Sequence, residues 1–294
     1  MIYKIGIDIG LTKIECAVLD PNNNIIYRER TSTENEQGTT HIYSKIKEIY
    51  QDAINKTNIK EFTIGIGMPG SISKNTSMLK NSGIFVNRKV KPEIEELLGR
   101  EVTIANDANC FALAESILGA AKDYDVIFGI ILGTGVGGGL VINKKLRVGP
   151  QGVAGEWGHT DLNPFNELQC FCGKIGCVET WLSGSGLERR YVSFKDKTRS
   201  TAKEISTWSG GRSTIMMEYF DKFGQAVANL IQVIDPDCIV IGGGLSNIPL
   251  LYTEGPIAIK KHLFNDSFDT PVLPPMLGDS AGVIGAALIG YQSN

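Results

Sequence analysis

With 294 residues, 42% of them hydrophobic and 21% charged, the chain has the composition of a folded protein with one large or two medium domains. Its formal net charge of −3, without a long basic block, argues against nucleic acid or an anionic membrane surface as the main partner. The chain carries neither a signal-peptide pattern nor a run of about 18 apolar residues, so we expect a cytoplasmic protein with reduced thiols.

Strand-like and helix-like segments alternate along the chain. Strand patterns occur at 2–9, 14–19, 25–30, 62–67, 102–105, 126–132, 139–143 and 238–241. Helical spacing of apolar residues occurs at 41–55, 107–119, 217–234 and 281–291. This order is typical of an α/β fold, and the similar strand-into-turn patterns at 7–12 and 131–135 suggest a duplicated layout.

A glycine-rich segment follows the strand predicted at 126–132. It formally fits G-x-G-x-x-G, but a strand rather than a helix comes next, so we reject a dinucleotide-binding fold. What remains is a turn between two strands, either a plain glycine hairpin or one whose backbone N–H groups hold phosphate. The candidate phosphate-binding residues of this turn are Gly133, Thr134, Gly135, Gly137 and Gly138.

A second candidate phosphate turn lies near the start of the chain. Gly10 and Thr12 could hold phosphate oxygens, Lys13 could add positive charge, and Asp8 could hold Mg²⁺ through water.

A third glycine-rich segment follows the strand predicted at 238–241. Gly243 and Gly244 would suit a flat adenine or a ribose, unless they only form a tight turn.

Asn106 and Asp107 lie where a predicted strand runs into a predicted helix. Both residue types are preferred at helix starts, so capping is the simplest interpretation. Phosphoryl transfer also needs a group that accepts the proton of the attacking hydroxyl. Asp107 is therefore a candidate general base, and Asn106 a candidate partner for a neighbouring sugar hydroxyl.

Three cysteines within eight positions indicate a metal site. Cys170, Cys172 and Cys177 have glycines between them that permit sharp turns, and His159 is the nearest suitable fourth ligand. Four protein ligands predict a structural Zn²⁺ without a catalytic role, with a disulfide or free thiols as the alternatives.

Two carboxylates flank this cluster. Glu156 precedes His159 by three residues and Glu179 follows Cys177 by two. A zinc ion that joins the two loops would aim both carboxylates at one pocket, where they could bind vicinal sugar hydroxyls; the alternative is surface charge.

Taken together, these motifs resemble those of the ROK (repressor, open reading frame, kinase) sugar kinases, a branch of the actin-like ATPase superfamily. They appear in the family's order and cover nearly the whole chain. The matching segments are 8–13, 67–70, 106–109, 132–135, 156–159, 170–179 and 242–244.

The resemblance implies a two-lobed actin-like α/β fold, a duplicated ribonuclease H-like architecture, with ATP bound in an interlobe cleft. It also implies Mg²⁺, a structural Zn²⁺ and a homodimer. We expect a small lobe at 1–118 plus 281–294 and a large lobe at 119–280 that carries the zinc-binding insertion. Leu11 departs from the family, which usually has glycine there, and we expect a stiffer turn with weaker ATP binding.

By the same resemblance, Asp107 is the catalytic base. The sugar site is formed by Asp107 together with Asn81, Asn106, Glu156, His159 and Glu179.

The resemblance is strongest to the bacterial fructokinase/mannokinase group, partly because Trp157 stands where N-acetylglucosamine kinases usually carry phenylalanine. We therefore expect phosphorylation of the C6 hydroxyl of fructose or mannose, with N-acetylglucosamine kinase or glucokinase as the alternative. Two other classes are weighed. The first is a sugar-sensing regulator of the family, which would carry a helix-turn-helix before the first phosphate strand; here that strand is predicted to begin at Ile2, so we do not expect a regulator. The second is an inactive binding protein, which we do not expect because it would not need Asp107.

Overall fold

The computed structural model describes residues 2–72, 78–80, 83–85, 87–162, 168–194, 200–211 and 213–292. The chain forms two compact units. The first comprises Met1–Ile117, Lys144–Ala154 and Leu277–Asn294, and the second comprises Leu118–Asn143 and Gly155–Met276. The return of Lys144–Ala154 to the first unit is a feature that the sequence patterns do not indicate. In the described ranges no helix has the length and apolar character needed to cross a membrane.

The described strands and α-helices are as follows, numbered in chain order. The strands are β1 (Tyr3–Ile9), β2 (Lys13–Leu19), β3 (Ile25–Ser32), β4 (Phe62–Met68), β5 (Ser71–Ile72), β6 (Leu79–Lys80), β7 (Thr103–Asn106), β8 (Val126–Leu132), β9 (Val136–Ile142), β10 (Lys145–Leu146), β11 (Cys238–Gly242) and β12 (Val272–Leu273). The helices are α1 (Thr39–Thr57), α2 (Val90–Leu98), α3 (Asp107–Ile117), α4 (Val178–Leu182), α5 (Gly184–Phe194), α6 (Ala202–Thr207), α7 (Thr214–Ile234), α8 (Glu254–His262) and α9 (Ala281–Gln292).

The first unit is built on a mixed sheet with the strand order β3-β2-β1-β4-β7. β1 pairs antiparallel with β2 and parallel with β4, and β7 continues the parallel part. Apolar residues of this sheet and of α1 and α2 form one core, which includes Ile7, Ile46 and Ile94. The carboxyl ends of the three parallel strands therefore meet at one edge.

The second unit contains its own sheet, with β9, β8, β11 and β12 as successive neighbours. β8 pairs antiparallel with β9 and parallel with β11, with Ile131 opposite Gly242. A separate core packs against this sheet and includes Tyr219, Phe220 and Phe223 of α7. The β8–β9 turn and the carboxyl end of β11 thus lie at the same edge of the sheet.

Helix α9 packs backbone to backbone within the first unit. A Cβ atom on Gly65 of β4 would overlap the backbone oxygen of Ala286, and one on Gly285 would overlap the backbone oxygen of Cys110 in α3. Since neither neighbour is a flexible side chain end, glycine is required at both positions for this helix to pack as it does.

Replacing Gly285 with alanine tests this packing. We expect Gly285→Ala to lower the free energy of unfolding by about 2–3 kcal/mol, because the added methyl group meets backbone rather than a movable side chain. Urea unfolding followed by circular dichroism measures the change. The control is Gly244→Ala, because Gly244 has no atom within 4 Å of an added Cβ. Equal unfolding midpoints for the two variants would contradict the backbone contact.

Candidate active site

Two aspartates lie at the carboxyl edge of the first sheet. Asp8 is near the end of β1, opposite Gly67 of β4. Asp107 directly follows β7 and begins α3. The two carboxylates are near enough for the charge of Asp107 to act on the pKa of Asp8. The parallel register of β1, β4 and β7 thus brings together two residues that are far apart in sequence.

Burial makes both carboxylates reluctant to ionise. It raises the pKa of Asp8 to about 7, with a further rise from the charge of Asp107 and an opposing effect from Lys13. Burial also raises the pKa of Asp107, against the lowering effect of the Ala108 N–H that its carboxylate accepts at 2.9 Å. Desolvated carboxylates of raised pKa are suited to accept a proton or a cation.

Asp8 lies in a cradle formed by two glycines. A Cβ atom on Gly67 would be 3.1 Å from one carboxylate oxygen of Asp8, and one on Gly282 would be 2.6 Å from the other. Gly282 is in the first turn of α9, where unpaired backbone N–H groups carry partial positive charge. Hard oxygen donors of this kind suit Mg²⁺, so Asp8 fits the ion that the sequence assigns to it.

The turn between β1 and β2 uses most of its backbone groups internally. The Gly10 N–H donates to the Lys13 carbonyl at 2.8 Å, and the Gly10 carbonyl accepts the Thr33 hydroxyl at 2.8 Å. The Thr12 carbonyl accepts the Thr33 N–H at 3.1 Å, while Thr12 itself is exposed. An anion at this turn would therefore meet the Thr12 hydroxyl and the Lys13 ammonium rather than the Gly10 N–H.

Leu11 takes its place in this turn without backbone strain. It does not adopt a left-handed backbone conformation, and its side chain is 51% exposed. The side chain lies toward Gly83, where an added Cβ would come 2.9 Å from the Leu11 Cδ2 atom. Leu11 thus occupies the turn with a half-exposed apolar side chain near Gly83.

Glu15 is a buried charge that the sequence analysis missed. Its side chain is 1% exposed, and its carboxylate pairs with Arg28, with Arg30 at 2.7 Å and with Lys13 at 3.8 Å. A glutamate in the apolar strand β2, facing two arginines spaced by two residues, was the available signal. Because a buried charge must be compensated, Glu15 holds the Lys13 ammonium near the β1–β2 turn.

Asn106 serves the backbone in two directions. Its Oδ1 atom accepts the Ala108 N–H at 2.8 Å, and its Nδ2 atom donates to the Gly70 carbonyl at 3.2 Å. The first bond is the helix cap that the sequence offers as the alternative to a sugar contact. Asn81, the other predicted sugar-binding asparagine, lies outside the described residues.

In the second unit, the predicted phosphate turn connects β8 with β9. The Gly133 N–H donates to the Gly135 carbonyl at 3.0 Å, which closes the turn. The Thr134 carbonyl accepts the Ser185 hydroxyl at 2.7 Å, and the Gly133 carbonyl accepts the Gly184 N–H at 2.8 Å. Ser185 and Gly184 are further residues of this site that the sequence analysis missed, although both follow soon after Glu179.

The last glycines of this turn serve packing. A Cβ atom on Gly138 would be 2.7 Å from the Gly155 carbonyl oxygen and from Trp157. The Gly137 carbonyl accepts the Trp157 indole N–H at 2.9 Å, and the indole ring packs edge-on against Phe128. Close contact with the loop at 155–157 therefore accounts for Gly138, whereas Gly133, Thr134 and Gly135 form the turn itself.

The predicted metal ligands converge within the second unit. The ligand atoms of His159, Cys170, Cys172 and Cys177 all lie within 4.8 Å of one another. The Cys172 and Cys177 sulfurs are 3.7 Å apart, and the His159 Nδ1 atom is 3.5 Å from the Cys170 sulfur. Around a tetrahedral zinc ion with Zn–S bonds of about 2.3 Å, two sulfurs lie about 3.8 Å apart. This donor set fits Zn²⁺.

The two flanking glutamates have different surroundings. Glu179 is the second residue of α4; its Oε2 atom accepts the Val136 N–H at 3.0 Å, and its Oε1 atom lies 3.6 Å from the Cys170 sulfur. Glu156 is half-buried, immediately before the short 3₁₀ helix Trp157–His159. Glu179 therefore contacts both the β8–β9 turn and the cysteine cluster.

A cavity of about 990 Å³ opens beside the β8–β9 turn within the second unit. Gly244 lines it, whereas Gly243, with a φ of 83°, packs against the backbone of Leu132. The tight turn thus accounts for glycine at position 243, whereas Gly244 lies next to the open space of the cavity. The other lining residues that matter here are Thr134, Ser185, Glu188, Asn247, Ile248 and Pro249.

Asp8→Asn tests the free-energy cost of desolvating the Asp8 carboxylate. An aspartate in the unfolded chain ionises near pH 4 (its pKa is about 3.9), whereas the pKa of Asp8 in the folded protein is about 7. The folded state therefore binds more protons than the unfolded state between these values, and stability falls as pH rises through them. The amide avoids this cost, so we expect its stabilising effect to grow between pH 5 and pH 8, reaching about 3–5 °C in thermal midpoint.

Differential scanning fluorimetry of the Mg²⁺-free protein measures these midpoints. Asp266→Asn, at an exposed aspartate of the second unit, is the control and should give no pH-dependent difference from the wild type. A wild type that gains stability over the same pH range, relative to Asp8→Asn, would contradict the raised pKa.

Comparison with known proteins identifies the family of this chain. The ROK family profile matches residues 4–292. An N-acetyl-D-glucosamine kinase of Histophilus somni (strain 129Pt) is 36% identical over 304 residues, with 97% of each chain covered.

Solved structures extend the likeness to the fold. The ROK hexokinase of Thermus thermophilus superposes with a TM-score of 0.89 at 28% identity over 99% of both chains. A ROK family glucokinase of Streptomyces griseus, solved in complex with glucose and AMPPNP, gives a TM-score of 0.78 at 28% identity, again over 99% of both chains. From its motifs, its two five-stranded sheets and these matches along nearly its whole length, this chain belongs to the ROK family of sugar kinases and has the two-lobed actin-like α/β fold.

Proposed function

We propose that this sugar kinase transfers the γ-phosphoryl group of ATP to the C6 hydroxyl of an N-acetylated hexosamine, with N-acetylglucosamine as the main substrate. The observation that carries the chemistry is Asp107, a half-buried carboxylate of raised pKa at the start of α3, whose charge acts on Asp8. The sugar is inferred from the 36% identity to an N-acetyl-D-glucosamine kinase along nearly the full chain.

Asp107 would act as the general base. Its carboxylate takes the proton of the C6 hydroxyl as the hydroxyl oxygen attacks the γ-phosphorus, and the bond to the β-phosphate oxygen breaks to release ADP. The Ala108 N–H and the start of α3 fix the position of the carboxylate, so little reorganisation is needed at the moment of transfer.

The family resemblance assigns nucleotide binding to several glycine-rich segments. Thr12 and Lys13 would bind phosphate oxygens, as would the turn at Gly133–Gly135, and the cavity next to Gly244 in the second unit would take the base and ribose. Asp8 would hold Mg²⁺ through water; when bound, the ion neutralises charge on the β- and γ-phosphates.

The sugar would be bound by Asn106, Glu156, His159 and Glu179, with Asn81 as predicted from the resemblance. The assignment to fructose or mannose loses the support of Trp157, because this residue is buried in the core of the second unit, where its indole N–H donates to the Gly137 carbonyl and its ring packs on Phe128. The residue type at position 157 therefore reflects packing in the core of the second unit and does not identify the sugar.

The cysteine cluster would hold a structural Zn²⁺ through His159, Cys170, Cys172 and Cys177. Four protein ligands leave no open position for substrate, so the ion would stabilise the loops that carry Glu156 and Glu179. The homodimer and the cytoplasmic location that the sequence suggests stay predictions.

A sugar panel tests the substrate. ADP release is coupled to NADH oxidation with N-acetylglucosamine, N-acetylmannosamine, glucose, mannose and fructose as acceptors. We expect kcat/KM for N-acetylglucosamine to exceed that for fructose and mannose by at least about 10-fold, because a site that binds the acetamido group rejects sugars without it. A higher kcat/KM for fructose or mannose would restore the first expectation, and no sugar-dependent ADP release would refute the kinase.

Asp107→Asn tests the base. The amide keeps the shape of the side chain and cannot take a proton, so we expect kcat to fall by about 10²–10⁴-fold while calorimetry still detects sugar binding. Asp123→Asn, at an exposed aspartate of the second unit, is the control and should keep wild-type turnover. Near-normal turnover of Asp107→Asn would remove Asp107 from this role.

A further inference from the structure

The β8–β9 turn is held at three points by one short segment of chain. This segment, residues 177–186, begins at the metal ligand Cys177. The Gly184 N–H donates to the Gly133 carbonyl at 2.8 Å, and the Ser185 hydroxyl donates to the Thr134 carbonyl at 2.7 Å. Toward the other end of the turn, the Val136 N–H donates to the Glu179 carboxylate at 3.0 Å. The conformation of the turn thus depends on the position of the 177–186 segment.

The 177–186 segment is internally rigid. The Thr180 hydroxyl donates to the Cys177 carbonyl at 2.7 Å, the Ser183 N–H donates to the Glu179 carbonyl at 3.1 Å, and the Ser183 hydroxyl accepts the Gly186 N–H at 2.9 Å. Thr180 and Ser183 are both fully buried. A displacement at Cys177 is therefore passed along the segment instead of being absorbed within it.

The start of the segment is positioned by the cysteine cluster. Cys177 is itself one of the four ligands, and it forms an isolated β-bridge with Asp161, two residues beyond the ligand His159. Glu179 adds a second connection, since one of its oxygens lies 3.6 Å from the Cys170 sulfur while the other accepts the Val136 N–H. Only Val178 separates the ligand from the residue that contacts the turn.

We propose that the metal centre sets the conformation of the β8–β9 turn through Glu179 and Ser185, so that metal and nucleotide bind cooperatively. This inference rests on the proposed function, in which the cluster binds Zn²⁺ and the turn binds phosphate. Glu179 and Ser185 are positioning residues in this scheme. Bound metal fixes Cys177 and the segment behind it, and the turn is then held in the shape that accepts phosphate.

Cooperativity of this kind is reciprocal. If metal increases nucleotide affinity by some factor, saturating nucleotide increases metal affinity by the same factor. Couplings between sites in proteins are commonly about 5–150-fold, and with three hydrogen bonds involved we expect about 10-fold. Replacing a residue that only stabilises the fold would change the nucleotide affinities of the metal-loaded and the metal-free protein alike. The ratio of these two affinities therefore identifies a positioning role.

The test measures AMPPNP affinity of the full chain by calorimetry, first loaded with zinc, then stripped with a chelator, then reloaded. We expect the dissociation constant to rise about 10-fold on stripping and to recover on reloading. In Ser185→Ala the loaded protein should bind AMPPNP more weakly, and the effect of stripping should fall to less than about 2-fold. Ser206→Ala is the matched control, because Ser206 lines the same cavity but its hydroxyl donates to the Lys203 carbonyl. This variant should keep the wild-type ratio between the AMPPNP dissociation constants of stripped and loaded protein.

A second measurement covers the case in which the stripped protein unfolds. Zinc affinity of the loaded protein is measured by equilibrium competition with a chromophoric chelator, with and without saturating AMPPNP. Nucleotide should raise zinc affinity about 10-fold in the wild type and in Ser206→Ala, and less than about 2-fold in Ser185→Ala.

The outcomes separate the two proposals. Equal AMPPNP affinity of folded loaded and stripped wild type, or zinc affinity that is independent of nucleotide, overturns the coupling while the kinase proposal stands. If Ser185→Ala keeps the wild-type ratio between the AMPPNP dissociation constants of stripped and loaded protein, coupling through Ser185 is also overturned. A loaded protein that binds no AMPPNP refutes the proposed function and the coupling with it. A chain that binds no zinc refutes the metal site and the coupling, while the kinase proposal stands.

Discussion

In both units the backbone comes closer to itself than a side chain would permit, and glycine occupies the contacts. In the first unit, Gly65 and Gly285 let α9 pack backbone to backbone on β4 and α3. This packing also brings the first turn of α9, with Gly282, against the Asp8 carboxylate. In the second unit, Gly138 lets the β9 backbone meet the loop at Gly155. Each candidate site thus depends on contacts that no larger residue could replace.

The first unit contains two kinds of desolvated carboxylate with opposite consequences. Glu15 is buried and matched by Lys13, Arg28 and Arg30, so its charge is compensated and holds the strands together. Asp8 and Asp107 are half-buried, and desolvation raises the pKa of each. Desolvated carboxylates of this kind are suited to accept a cation or a proton from outside the chain.

The second unit uses one short stretch of chain for several purposes. Residues 177–186 contribute Cys177 of the predicted metal cluster, hydrogen bonds to the β8–β9 turn and Ser185 in the wall of the adjoining cavity. Spacing alone predicted the metal cluster, because cysteines this close in sequence converge through a local turn. The hydrogen bonds between this stretch and the turn were not predictable, since they join residues about 50 positions apart in different elements.

The sequence by itself determined the family, the strands and helices with strong apolar periodicity, the glycine turns and the convergence of His159 with the cysteines. These depend on local spacing, which the sequence displays directly. Tertiary structure decided that Asn106 caps α3, that Trp157 serves the core, that Glu15 is buried and that Asp8 and Asp107 share one edge. These outcomes depend on which segments, far apart in the sequence, come to lie against each side chain. Local sequence patterns do not contain this information.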